Sequence, residues 1–537
     1  MADRGGVVFG HRPVPGVRLA ELVASLSLAT DLGLGQPQEH VLRQTVLATR
    51  LGSVAGLSDS ERAAAFYVSL LAWVGCIADS HELARWFDDD TAIRAASYDV
   101  NRTGLPMMRF LFGNLALDGS PFERASTVGR FLGGGMRDVM SSIAAHCQTT
   151  GDVADRLGLA DEVRRALPQV MERWDGKGGP SGLAGDQIER VMRVIHVANE
   201  AEVCWRVGGE PAAVAMLRER SGSEFDPTLV ELAVQHAPEL FDGLEAVDAW
   251  SIVIDGCSAL DRPLADAELR TALETFADYA DVKSPWFLGH SRAVAALASE
   301  AARRAGLAPS EVDLVERAGF VCRLGTIGVA AGSWNRPGPL TPIEWERVRT
   351  VPYLTERVLR RQPRLAEIGA VAGMFHERLD GSGYPHGLAG GAIPPAARIL
   401  AAAEVYQALR EARPHRPARG RAEAEGVLRS EVSAGRLDPD AVDAVLAAAG
   451  HRTRRRPSLV GGLTIRESEV LALLVRGLPN KQIAAALAMS PRTVGSHIEH
   501  IYSKIGVSTR GSAAMYAMRH GLVDATPADE ELAQSIG

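Results

Sequence analysis

Apolar residues recur at helical spacing through most of this chain. PQEHVLRQTVLATRLGSVAGL, from Pro37, and SRAVAALASEAARRAGL, from Ser291, place Val, Leu and Ala three and four residues apart with polar residues between them. Ala and Leu dominate and runs of β-branched residues are short, a mix that favours helix. Two stretches interrupt the pattern. In ELFDGLEAVDAWSIVIDGCSALDRP, around residues 235–265, the alternation at Trp250–Asp255 reads as a short strand or a connector. HRTRRRPSLVGG, residues 451–462, is a basic Pro/Gly linker without apolar periodicity. The pattern predicts an all-α fold.

The chain also repeats itself. His40 lies 35 residues before Gly75, and His290 lies 35 residues before Gly325. Further on, ERWDGKGGPSGLAGDQI from Glu172 aligns with ERLDGSGYPHGLAGGAI from Glu377 at a constant offset of 205, and RVIHVANEAEV continues against RILAAAEVYQAL. Such self-similarity predicts two homologous helical lobes in tandem, of which only the second keeps GYP.

At 537 residues the chain exceeds one ordinary core, which suggests about three domains. Its 46% apolar and 23% charged residues are those of a globular protein, and the net charge of −8 places any nucleic-acid binding in a local patch. Cys76, Cys147, Cys204, Cys257 and Cys322 are scattered with no CxxC pair, so neither a zinc knuckle nor a disulfide framework is indicated. MADRGGVVFGHRPVPG lacks a long apolar stretch, and no run of about 18 apolar residues follows. The expectation is a cytoplasmic protein with no membrane partner.

Across residues 275–415 the motifs GHSRAVAALA, NRPGPLTPIEWERVRTVPYLTERVL, FHERLDGSGYPHGLAG and ARILAAAEVYQAL resemble, in that order, the HD-GYP family of cyclic-dinucleotide phosphodiesterases. The resemblance implies metal ions on His and Asp ligands that activate a water and neutralise phosphate charge. Carried onto this chain, the early histidine is His290, and the HD pair falls on Cys322 and Arg323. A further His position is Val351, the His pair is Phe375 and His376, the Asp is Glu404, and the usual Lys is Thr326. Arg323 brings a fixed cation to the place of the ions. His290, His376 and Glu404 are left as vestigial metal candidates. In the first lobe the same positions hold Ala72 and Trp73, Val170 and Met171, and Asn199. The expectation is that both lobes are pseudoenzymes, that the chain is not an enzyme, and that it holds no cofactor. In GSGYP, Gly381 and Gly383 suit positive φ or close backbone approach, and Pro385 fixes the exit. The loop either shapes the fold or grips a nucleotide effector through Arg378, Asp380 and Tyr384, with Arg323 anchoring a phosphate.

After the linker, LTIRESEVLALLVRGLPNKQIAAALAMSPRTVGSHIEHIYSKIGVSTRGSAAMYAMRHGL resembles the LuxR-type helix-turn-helix throughout. Thr464 and Glu467 form a capping box, and Val470, Leu471, Leu473 and Leu474 give that helix its apolar face. Asn480 starts a short helix ending near Met489. Ser490 caps the next helix, whose first turn PRTVGSH would enter a major groove. Ile498, Ile501 and Ile505 face the core, and Ala513, Ala514 and Ala517 mark a fourth helix. The resemblance implies a DNA-contacting set of Asn480, Lys481, Arg492, Thr493, Val494, Gly495, Ser496, His497, Glu499, Lys504 and Arg510. Within it Lys481, Arg492, Thr493, Lys504 and Arg510 are phosphate contacts, His497 lies near the backbone, and Gly495, Ser496 and Glu499 read bases. Residues 462–525 hold seven Lys and Arg against four acids, and the linker adds Arg452, Arg454, Arg455 and Arg456. Positive charge thus gathers where a duplex would lie.

The chain is therefore expected to comprise two HD-type lobes, residues 1–235 and 236–450, a linker 451–461, a four-helix LuxR-type domain 462–526 and a tail 527–537. It reads as a transcription regulator binding double-stranded DNA as a homodimer, with a nucleotide effector. A cyclic di-GMP phosphodiesterase fused to a DNA reader, and a scaffold whose lobes bind proteins, are the competing readings.

Overall fold

Helix starts are written locally into the sequence. The Ser58 hydroxyl accepts the Glu61 amide at 3.3 Å while Glu61 accepts the Ser58 amide at 2.8 Å, and Thr341–Glu344 and Thr464–Glu467 repeat the exchange. The computed structural model describes residues 16–451 and 462–522, apart from 88, 99, 101–103, 116–120, 246–247, 256–261, 488 and 520–521. Among the described residues there is no strand, only isolated bridges such as Arg18 with Pro263. The stretch read as strand or connector is the helix Ala249–Asp255. Its buried Trp250, Val253 and Ile254 stand three and four residues apart, and that spacing overrides the apparent alternation. No single helix among the described residues is long and apolar enough to cross a membrane. The linker arginines, Cys257 and the tail lie outside the described residues.

The repeat is a structural one. Leu19–Gly33, His40–Val54 and Asp59–Leu71 recur as Asp266–Asp281, His290–Ala305 and Pro309–Val321, and Arg190–Arg220 begins where Pro395–Arg410 does, 205 residues on. Both Gly-rich loops follow the same path. Gly176, Gly182 and Gly185 have positive φ, as do Gly381, Gly387 and Gly390, and the Gly179–Pro180 and Tyr384–Pro385 bonds are both cis. Glu172 accepts from the amides of Ser181 and Leu183, and Glu377 does so from those of His386 and Leu388. A Cβ on Gly75 would lie 2.2 Å from the His146 carbonyl oxygen, and on Gly325 it would lie 2.1 Å from that of Val351.

The lobes share one hydrophobic core running from Val17 to Leu446. A buried polar lock joins them: the Asp90 carboxylate of the first lobe accepts from Lys283 Nζ at 2.7 Å and from the Ala331 amide at 2.7 Å. Burial pushes Asp90 up, but Lys283 and Arg94 outweigh it and hold the carboxylate below its ordinary range. The C-terminal helices have a separate core of Leu463, Val470, Leu471, Leu474, Ile483, Val494, Ile501 and others. Leu473 and Ile498 pack on its edge.

Candidate functional site

In the second lobe four elements bring charge to one buried point. His290 opens the helix His290–Ala305 after Gly289, whose φ of 79° turns the chain into it. Arg323 follows the end of Pro309–Val321, His376 follows Pro363–Ala372, and Glu404 projects from Pro395–Arg410. Arg323 Nη1 donates to Glu404 Oε1 at 3.2 Å, and His290 Nε2 lies 3.9 Å from the same oxygen. His290 Nδ1 meets Glu411 Oε2 at 2.7 Å. His376 stacks on Tyr384 with ring centroids 4.7 Å apart.

Burial sets the charge states here. It pushes the His376 imidazole down to about 4, and with Arg323 it holds His290 below its ordinary value. Burial alone would raise Glu404, but His376, Arg323 and His290 outweigh it and keep the carboxylate below its ordinary range. The centre is thus a carboxylate balanced by a guanidinium, flanked by imidazoles.

Arg323 also faces a cavity of about 650 Å³, walled by Phe287, Trp334, Trp345 and Arg413 among others. Its guanidinium lies 4.2 Å from the Phe287 ring centroid and 5.7 Å from that of Trp334, and Arg413 covers Phe287 at 5.0 Å. Arg323 is 7% exposed, and its Nε is buried without a hydrogen-bond partner. Sequence reasoning placed Arg323 here but missed Phe287, Trp334, Trp345 and Arg413. RPHRPARGR from Arg413 and SWNRPG from Ser333 were the signals available for Arg413 and Trp334.

The other loop candidates are turned to local use. Arg378 Nη1 donates to the carbonyls of Phe375 and Glu377, and Asp380 accepts from the amide and hydroxyl of Ser382. Tyr384 carries the Arg349 guanidinium 5.3 Å above its ring. None of the three lines the 650 Å³ cavity. The first lobe takes the same loop path without the tyrosine, which favours the shaping role of the glycines.

A two-metal centre needs converging imidazoles and carboxylates. Here Arg323 is held against Glu404, while Val351 and Phe375 are buried core residues. Burial pushes the Cys322 thiol far above its usual range, and it donates to the Gly319 carbonyl. These residues do not fit the family's metal set, and among the described residues no group of three or more His, Cys, Asp or Glu is arranged for a metal ion.

In the C-terminal domain, Pro491–Ile505 is the helix whose first turn the sequence assigns to a major groove. Ser490 caps it by accepting the Thr493 amide at 3.1 Å. Asn480, Lys481, Arg492, Thr493, Ser496 and Glu499 are exposed, and Gly495 is half-buried. Val494 corrects the sequence reading: it is wholly buried, sharing the core face with Ile501 and Ile505 at helical spacing, and is not a DNA contact. His497 is half-buried with Nδ1 unpartnered, and burial holds it below its ordinary value. Arg510 donates to the carbonyls of Leu474 and Leu478, closing the end of Ile465–Val475 instead of reaching outward. Lys504 bonds Glu467 at 2.9 Å and Asp440 of the second lobe at 2.6 Å. Burial pulls its ammonium down, but the two carboxylates outweigh that and hold it above its ordinary value. The same helix packs beside Gly390–Ala392, the turn that closes the GSGYP loop.

Comparison with known proteins matches both centres. The HD domain family matches residues 136–229 and 274–441, and the luxR family of bacterial regulatory proteins matches 462–517. The chain is 30% identical over 404 residues to the 3'3'-cGAMP-specific phosphodiesterase 3 of Vibrio cholerae, covering 74% of this chain and 88% of that relative. It is 36% identical over 184 residues to the cyclic di-GMP phosphodiesterase response regulator RpfG of Xanthomonas campestris, covering 34% of this chain and 47% of RpfG. The crystal structure of a cyclic GMP-AMP specific phosphodiesterase of V. cholerae covers 81% of this chain and 98% of its own, with a TM-score of 0.57 at 26% identity. These likenesses correct one expectation. The expectation that the chain is not an enzyme, with both lobes pseudoenzymes, rests on the lost ligand positions at Cys322, Arg323, Val351 and Phe375 and their counterparts in the first lobe. The relative that matches 74% of this chain and the solved structure that covers 81% of it are both named phosphodiesterases, as is RpfG over its 184 residues, and this points to enzyme activity.

Proposed function

This chain belongs to the HD-domain family that includes the 3'3'-cGAMP-specific phosphodiesterases, joined to a LuxR-family domain, and on that premise we propose a transcription regulator whose second lobe takes up a cyclic dinucleotide and thereby controls DNA binding. The observation that carries this reading is the buried Arg323 with its unpartnered Nε beside a cavity of about 650 Å³. A guanidinium among Phe287, Trp334 and Trp345 offers a phosphate a charge-assisted donor and offers the bases ring faces to stack on. The volume falls within the roughly 300–1,000 Å³ of small-molecule sites. Coupling to DNA runs through the reading helix, which rests on Gly390–Ala392 and is tied by Lys504 to Asp440. A lobe that shifts on taking up ligand changes what that helix is free to touch.

The regulator acts as a homodimer on DNA, since one helix-turn-helix reads too few base pairs for a useful specificity ratio. The fourth helix, Arg510–Arg519, presents Met515 at 67% exposure beside Ala514; the Met518 side chain lies outside the described residues. Calorimetric titration of the full chain with 3'3'-cGAMP and with cyclic di-GMP tests the ligand. One nucleotide should bind saturably and lose at least tenfold in affinity in Arg323→Met. Equal binding by Arg323→Met would refute the site.

A second reading, hydrolysis of the same nucleotide by this lobe, is favoured by what the relatives are named for. Chromatography after incubation with manganese or iron supplied separates the two. Linear dinucleotide forming in proportion to protein supports turnover; intact nucleotide recovered alongside altered DNA affinity supports sensing.

A further inference from the structure

The first lobe has a cavity of its own, of about 570 Å³, lined by Trp73, Val170, Met171 and Asn199. These are the positions that align with Arg323, Phe375, His376 and Glu404 in the second lobe, at offsets of 250 for the first and 205 for the others. Where the second lobe gathers charge, the first has lost it. Met107 and Met108 of the helix Gly104–Asn114 line the same space, and their thioethers adapt to irregular shapes.

The polar groups at this cavity are nearly all engaged. Trp73 Nε1 donates to Gln44 at 3.0 Å, leaving its ring to the cavity. Glu172 accepts two loop amides, and Arg173 is paired with Asp175 and Glu224. Beside Arg173 Nη1, which makes no hydrogen bond but lies 3.3 Å from Glu224 Oε1, Asn199 is the exception. It is 1% exposed, its amide nitrogen donates to Glu200 at 3.3 Å, and its Oδ1 has no hydrogen-bond partner. A buried acceptor left empty is costly, and an N–H or O–H delivered from the cavity would satisfy it.

We propose that the first lobe's altered centre is a binding site for an uncharged, largely apolar small molecule carrying one N–H or O–H donor, which Asn199 Oδ1 accepts. The site is independent of the cyclic-dinucleotide reading, because it lies in the other lobe; of its cations, Arg173 is paired with Asp175 and Glu224, and the exposed Lys177 lies 3.6 Å from Asp175 Oδ2.

N-phenyl-1-naphthylamine, a neutral apolar fluorophore with a single N–H, serves as probe on the full chain. The expected result is a saturable, blue-shifted rise in emission at one probe per chain, with energy transfer from tryptophan reduced in Trp73→Phe. Val170→Trp fills the cavity and should abolish saturable binding. Met108→Trp blocks it from another wall and replaces Val170→Trp if circular dichroism shows that variant to be misfolded. Asn199→Leu should weaken binding about tenfold while leaving the melting temperature equal or higher, because the empty acceptor is removed. Absence of saturable binding, or binding that survives a folded cavity-filling variant, would overturn the proposal.

Discussion

Replacing Glu404 by leucine tests whether Arg323 is a structural cation paired with that carboxylate. The Arg323 and Glu404 side chains are 9% and 5% exposed and meet at 3.2 Å, so solvent screens them little. Removing one partner of a buried pair leaves an uncompensated charge and costs about 3–5 kcal/mol. Glu404→Leu should therefore lower the melting of the helical region by roughly 6–10 °C, at about 2 °C per kcal/mol for a large domain. Arg323→Met should cost less, because His290 and His376 stand beside Glu404 and can take up a proton in its place. The double variant Arg323→Met/Glu404→Leu, with both charges gone and apolar volume kept, should recover most of the loss, since such exchanges are often near neutral. Differential scanning calorimetry on the four proteins of this cycle reads the coupling directly. A loss below about 1 °C in Glu404→Leu, or a double variant no better than it, would refute the pairing.

Three further outcomes are expected. Asp440→Ala removes one of the two carboxylates that hold Lys504, a half-exposed ion pair worth about 0.2–1 kcal/mol, and leaves Glu467. DNA affinity at low salt should rise up to about fivefold and the salt slope should steepen by about 1, as read by anisotropy titration; unchanged values would refute the idea that Asp440 keeps Lys504 from phosphate. Lys481→Ala should weaken binding to all sequences alike, whereas Glu499→Ala should change base preference in a selection from random duplexes; the reverse pattern would contradict the placement of the reading helix. Burial raises Asp31 and Asp281 to about 7 each. Because their folded values exceed the unfolded value near 3.8, their stabilisation is complete below it and is lost as pH rises toward 7. Melting should fall between pH 5 and 7, by up to about 1.4 kcal/mol per unit for each group, and less steeply in Asp281→Asn; a flat profile would count against both.

The duplication was legible because backbone constraint leaves marks in sequence. Gly75 and Gly325 each face a carbonyl too close for any side chain, and the paired loops need glycines at the same turns. The helix caps at Thr464 and Ser490 were legible for the same local reason. What sequence reasoning missed depends on distant partners. Asp90 and Lys283, 193 residues apart, lock the lobes together, and nothing around either predicts the other. Arg413 reaches Phe287 through a turn whose path no periodicity records. A basic residue at an outward helical position reads the same whether it awaits a phosphate, as Lys481 does in this account, or closes a helix end, as Arg510 does. Val494 sits in the turn that the resemblance assigns to DNA, yet its helical spacing to Ile501 and Ile505 puts it on the core face.

The central claim is that nucleotide held at Arg323 alters DNA binding, and one titration tests it. Duplex selected from genomic DNA by the full chain is titrated at fixed salt without nucleotide, with 3'3'-cGAMP, and with cyclic di-GMP, using the natural protein and Arg323→Met. One nucleotide should shift the apparent Kd at least tenfold, about 1.4 kcal/mol of coupling, and that shift should vanish in Arg323→Met while its nucleotide-free Kd stays unchanged. An identical Kd in all three conditions, or a full response in Arg323→Met, would contradict it.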